Sequence, residues 1–226
     1  MKIGEVKEAI LRNGFSDELF EELKISLKRS PKAQRSQHLY TFAYELATEK
    51  DDFDGATKMI CYAINFCENS WVDLMRAYEN SALIYEVEGL YKEAYEAYAS
   101  ALGSVPEEHK SSYIGDLSIR MMKAYLHMSG FSYTPHLREL YEASREISEF
   151  AAGFRGVIYY TSIAEMIIAA NDGDKDAYAA AKGRALDTIN DEESTATDII
   201  LARHKYKSEA GTTAASIKFL NRSKWK

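Results

Sequence analysis

The sequence predicts an all-α protein made of successive antiparallel helix pairs, and three observations carry that reading. Apolar residues recur at helical spacing along nearly all of the 226 residues, and strand-like alternation is absent. Glycine, proline and Asp/Asn turns cut that pattern into helix-length segments. Only three prolines and twelve glycines are present, so no Pro/Gly-rich linker separates domains. The chain is therefore expected to be one helical-repeat domain, 1–226. Capping helices occupy 1–30, helix pairs 34–190, and C-terminal capping helices with a basic tail 194–226.

The elements follow in order. A first helix spans about 4–12 and stops at Gly14, a glycine suited to the left-handed turn after a helix. Ser16 is placed as an N-cap for a helix from Asp17 to about Arg29, with acidic residues in its first turn. Pro31 opens the next helix, which runs to about Glu49 with Leu39, Phe42, Ala43 and Leu46 on one side. Asp51, Asp52, Asp54 and Gly55 turn the chain into a helix over about 54–68, with Ala56, Ile60, Ala63 and Ile64 inward. A helix from Trp71 to Val87 is broken by Gly89. The next, Tyr91 to Leu102, sets Tyr91, Ala94, Tyr95, Tyr98, Ala101 and Leu102 on one stripe. From Pro106 a single long helix is expected to Met128, stopped at Gly130. Thr134 and Pro135 form an N-cap and first-turn pair for a helix to about Ala152, with Leu137, Leu140, Tyr141, Ile147 and Ala151 inward. Gly153 and Gly156 bracket the entry to a helix over 157–170, whose run Val157, Tyr160, Ile163, Ala164, Ile167 and Ile168 suits burial on two sides. After a turn at 171–174, helices are expected over about 175–189, 195–208 and, least strongly marked, 213–221.

Pairs thus start near residues 34, 71, 110 and 156. Residues 78–106 carry the sharpest pattern: Tyr78, Ser81, Ala82 and Tyr85, then Ala94, Tyr98 and Ala101, then Pro106. Small residues there let two helices approach to about 8–10 Å, while the tyrosines fill the surrounding volume. This stretch resembles one tetratricopeptide repeat, a 34-residue helix pair. Ser81 departs from the pattern, which prefers Leu at that slot. The likeness is fair for the pair from 34, weak for the pair from 110, and covers about half of the chain. It implies a right-handed superhelix of helix pairs, because one repeat cannot bury its apolar face alone.

Composition bounds the function. The net charge is −7, unevenly placed: seven Lys/Arg and one Glu lie between Arg203 and Lys226, leaving −13 on the rest. An acidic body lacks the phosphate-neutralising charge that nucleic acid demands, so no nucleic-acid partner is expected. The basic tail reads as a solvated, frayed end. No run of eighteen apolar residues exists, so no membrane span is expected, and the N-terminus lacks the apolar segment of a secretory signal. Cys61 and Cys67 sit too far apart on one helix for a disulfide and read as reduced thiols of a cytoplasmic protein. His38, His109, His127, His136 and His204 lack metal-ligand spacing. Gly153-Phe154-Arg155-Gly156 lacks the strand and Lys-Ser/Thr of a phosphate loop. Glu86/Glu88 and Asp172/Asp174 read as a solvated face and a turn. No cofactor, metal or catalytic set is therefore expected.

The resemblance implies that a peptide or partner protein binds a concave groove lined by the first helix of each pair. Carried over by register, the groove residues are Gln37, Tyr40 and Tyr44, then Arg76, Glu79, Leu83 and Glu86, then Asp116, Ile119 and Lys123. Tyrosines mixed with acidic groups suit a basic or aromatic segment. Arg76 with Asn80 is the one pair similar to a chaperone-tail clamp, and it occupies the wrong slots. The expected function is an adaptor, chaperone-like or regulatory protein-binding scaffold. Alternatives are an immunity protein neutralising a basic toxin or nuclease, a peptide-sensing regulator lacking a DNA-binding head, and a helical enzyme with an unrecognised site.

Overall fold

A computed structural model of the chain describes residues 2–67, 70–150, 155–190 and 207–225. Among the described residues are twelve helices and no strand, so the fold is all-α. The chain forms two compact units, 1–106 and 107–226.

Unit 1 holds α1 (Ile3–Asn13), α2 (Asp17–Leu27), α3 (Lys32–Lys50), α4 (Phe53–Ile64), α5 (Trp71–Glu88) and α6 (Tyr91–Ser104). Its boundaries follow the capping chemistry. The Ser16 hydroxyl accepts from the Leu19 amide at 3.2 Å, Asp52 from Gly55 at 2.9 Å, and Ser70 from Asp73 at 3.2 Å. Gly89 turns left-handed at φ 86°, which lets the Leu90 amide donate to the Tyr85 carbonyl at 2.8 Å. Helix α3 packs on α4 and α5 on α6, and α5 also packs on both α3 and α4. One core joins α1 to α5 through Val6, Ile10, Leu23, Leu27, Leu39, Phe42, Leu46, Met59 and Ile84. On α5 and α6, Ala82, Ala94, Ala101 and Tyr98 are fully buried and Ser81 nearly so, whereas Tyr78 and Tyr85 are half-buried.

Helix α4 ends at Ile64, four residues before the expected 68. The Phe66 and Cys67 amides donate three residues back, to Ala63 and Ile64, and the Cys67 thiol donates to the Ala63 carbonyl at 3.2 Å. These tighter bonds close the helix early.

Unit 2 holds α7 (Glu107–Lys110), α8 (Ile114–Met128), α9 (Pro135–Phe150), α10 (Arg155–Asp172), α11 (Lys175–Asn190) and α12 (Lys207–Arg222). The single helix expected from Pro106 to Met128 is two. The Ser112 and Tyr113 amides donate three residues back, to His109 and Lys110, a tight turn that separates α7 from α8. Thr134 caps α9 as expected, accepting from Leu137 at 3.1 Å. Helix α10 already includes Gly156, rather than starting after it. Its Tyr159, Tyr160, Ile163, Ala164, Met166 and Ile167 are all buried, because α8, α9 and α11 pack around it. The side chains of Ile147 and Ala151, Gly153, and most of the helix expected over 195–208 lie outside the described residues.

The C-terminus departs most from expectation. Instead of a frayed end, α12 is docked. Ser216 and Leu220 are fully buried, the Tyr159 hydroxyl donates to Ser216 Oγ at 2.9 Å, and Phe219 stacks on Phe131 at 4.8 Å. Apolar spacing on one face of α12 outweighs the charge on the other.

Gly55 and Gly103 separate packing from propensity. Both lie in helices, where alanine gains about 0.5–1 kcal/mol over glycine. A Cβ on Gly55 would meet Phe15 Cγ at 2.8 Å and Asp52 Oδ2 at 2.9 Å, whereas one on Gly103 meets nothing within 4 Å. Gly103→Ala is expected to stabilise the protein by about 0.5–1 kcal/mol and Gly55→Ala to destabilise it by about 1–3 kcal/mol, as read by urea unfolding.

Candidate functional site

Two sites emerge, one in each unit. In unit 1, Tyr40 on α3 is the focus. Burial raises its phenol above the usual range, with Asp73 adding to the rise, Arg76 opposing it, and Cys67 and Glu79 also contributing. These groups lie on α5 and on the turn between the pairs, and α5 packs on α3. Arg76 Nη1 pairs with Glu79 Oε2 at 2.6 Å. Asp73 belongs to this group although the sequence reading omitted it; its first-turn position on α5 was the available signal. Tyr40 and Tyr44 also pack their rings on the unit 1 core. Gln37, Tyr40 and Tyr44 share one face of α3 by their spacing, and Gln37 is exposed.

The other expected groove residues are placed less openly. Glu79 and Glu86 are 5% and 4% exposed, Leu83 is half-buried, and the Asn80 amide donates back to the Arg76 carbonyl at 2.8 Å. Asp116, Ile119 and Lys123 lie on α8 in unit 2. There Asp116 is exposed and pairs with Arg120 at 3.1 Å, Ile119 is buried, and Lys123 Nζ sits 5.8 Å above the Tyr160 ring.

The second site was not foreseen. Unit 2 contains a cleft of about 540 Å³ between the α8–α9 loop, α10, α11, α12 and the segment after it. Two aromatic pairs build its walls: Phe131 on Phe219, and Tyr178 edge-on to Trp225 at 5.3 Å. Arg222 and Lys224 also line it, both exposed, and neither forms an ion pair among the described residues. The Tyr178 hydroxyl is buried without a hydrogen-bond partner among those residues. Lys182 Nζ donates to the Ser223 carbonyl and ties the terminal segment to α11. A signal existed in the sequence, since Trp225 sits between Lys224 and Lys226.

Elsewhere the chemistry is quiet. Among the described residues no three His, Cys, Asp or Glu side chains are grouped to hold a metal, and none of their helices is long and apolar enough to cross a membrane. Cys61 and Cys67 are free thiols, and burial pushes Cys67 up to about 11, which leaves it unreactive. Asp172 pairs with Arg138, and Asp174 caps α11 by accepting from Ala177 at 2.9 Å, so the acidic pair forms a turn. No protein-family model, curated protein or solved structure matches the chain.

His127 lies 3.2 Å from the Tyr160 hydroxyl, and burial, with Lys123 nearby, lowers its imidazole to about 3. The folded state thus holds it neutral. Its contribution is full above about pH 6.5 and is lost as pH falls through the window from 6.5 to 3. Between pH 7 and 5 the protein is expected to lose about 2 kcal/mol through this residue, and His127→Gln to lose correspondingly less, by urea unfolding at both pH values. At Tyr178, removal of the orphaned hydroxyl in Tyr178→Phe is expected to leave stability unchanged or raise it by about 1–2 kcal/mol, seen as an equal or higher melting temperature.

Proposed function

We propose that the chain is a protein-binding scaffold whose α3 and α5 present a face to a peptide or a segment of a partner protein. Within unit 1, α3/α4 and α5/α6 read as two steps of a right-handed, tetratricopeptide-like superhelix. The packing of α5 on both members of the preceding pair supports this, because repeat architectures bury each unit against its neighbour. The observation that carries the binding reading is the packing of α5, which bears Asp73 and the Arg76–Glu79 pair, on α3, which bears Gln37, Tyr40 and Tyr44. With Glu79 buried and paired to Arg76, the Asp73 carboxylate and the half-buried Tyr40 ring are the groups that favour a basic or aromatic segment. The two free thiols suit a cytoplasmic setting.

A second reading rests on the −13 carried by the residues before Arg203. A dedicated inhibitor of a basic toxin or nuclease would use such charge to speed encounter and select its partner. Binding that weakens steeply with salt favours this reading, and salt-tolerant binding favours a peptide held mainly by the tyrosines.

The test is a pull-down from native cell extract, read by mass spectrometry, with the natural chain and a Gln37→Arg/Asp73→Arg variant of equal melting temperature. The natural chain is expected to recover a partner that the variant depletes by about tenfold, equivalent to 1.4 kcal/mol. Equal recovery by both removes the α3/α5 face from binding. Recovery of nothing, together with turnover in a metabolite screen, removes the scaffold reading altogether.

A further inference from the structure

The cleft of unit 2 has a composition distinct from the α3/α5 face and independent of it. Its volume of about 540 Å³ falls within the roughly 300–1,000 Å³ of small-molecule sites. The two aromatic pairs come from four segments: Phe131 follows α8, Tyr178 is on α11, Phe219 is on α12, and Trp225 follows it. Aromatic faces supplied from several directions select a flat apolar body over a flexible chain.

Charge then narrows the class. Arg222 and Lys224 bring two cations to the same cleft. Among the described residues no Asp or Glu lines the cleft, and Asp172, next to the lining residue Asn171, is occupied by Arg138 and by the Asn171 amide. Neither Arg222 nor Lys224 forms an ion pair among the described residues, so the cleft holds two uncompensated cations. Arginine and lysine bind carboxylate, sulfonate or phosphate oxygens through charge-assisted hydrogen bonds, and the guanidinium also stacks on flat π systems.

We propose that this cleft binds a small planar organic anion, its aromatic body held between the Phe131–Phe219 and Tyr178–Trp225 pairs and its acidic group held by Arg222 and Lys224. Binding is reversible and involves no covalent step. The docking of α12 is then what assembles the site, since Phe219, Arg222, Lys224 and Trp225 all arrive with it.

Trp225 provides the readout. The chain has two tryptophans, and Trp71 lies in unit 1, so a Trp71→Phe chain reports on Trp225 alone. The probe is 8-anilinonaphthalene-1-sulfonate, whose flat naphthalene ring carries one anionic group. Titrated into the full-length Trp71→Phe protein, it is expected to quench Trp225 fluorescence and saturate at one equivalent. Arg222→Glu/Lys224→Glu in the same background is expected to weaken binding by at least about tenfold, and N-phenyl-1-naphthylamine, the same body without the sulfonate, to bind weaker by a similar factor. Both cations are exposed, so their reversal leaves the packed side of α12 in place, which circular dichroism and the melting temperature verify. Absence of saturable quenching overturns the proposal. So does equal affinity of the charge-reversed variant or of the neutral analogue. Tighter binding of a single-stranded oligonucleotide through Arg222 and Lys224 would replace it with a nucleic-acid surface.

Discussion

The close packing of α5 on α6 is the contact on which the rest of unit 1 depends. Ala82, Ala94 and Ala101 are fully buried there, beside an equally buried Tyr98. Short side chains let two helices approach closely, and the tyrosine fills what the alanines leave. Held in that way, α5 offers its other sides to α3 and α4. It also carries Asp73 and the Arg76–Glu79 pair, whose charges act on the Tyr40 phenol of α3. The candidate binding face is thus a by-product of the seam: the spacing that buries alanines on one side of α5 turns the polar group to another.

Much of this was legible because it is local chemistry. Ser16, Ser70 and Thr134 announce helix starts through hydroxyls that accept from backbone amides. Gly89 announces a stop through a backbone turn that alanine resists. The pairs starting at α3, α5, α8 and α10 follow from these marks and from apolar spacing. The misreadings are also local, but they turn on closer competition. The Ser111–Tyr113 turn and the early end of α4 each depend on three-residue hydrogen bonds, which apolar periodicity does not register. Burial of Glu79 and Glu86 on the proposed face was illegible for a different reason. Which side of a carboxylate-bearing helix is covered depends on its neighbours.

The C-terminal segment shows charge and apolar spacing in direct conflict. Read by charge, it belongs to solvent. In the fold, Ser216, Leu220 and Phe219 dock α12 while Arg222 and Lys224 stay outward. Long-range contacts, between Tyr159 and Ser216 and between Phe131 and Phe219, decide the outcome. The cleft they enclose needs residues from positions 131 to 225, a separation no motif search spans. The described residues thus present two candidate surfaces of different kinds, a tyrosine face built on helix pairs and an aromatic, cationic cleft completed by α12.

The claim that α5 is the shared support of unit 1 is tested most directly by amide hydrogen exchange on the natural chain and on Ala94→Leu. Overfilling a seam typically costs about 1–3 kcal/mol. If α5 couples its neighbours, the opening free energies of α3, α4, α5 and α6 fall together by a similar amount. A loss of protection confined to α6, with α3 to α5 exchanging as before, would contradict the account.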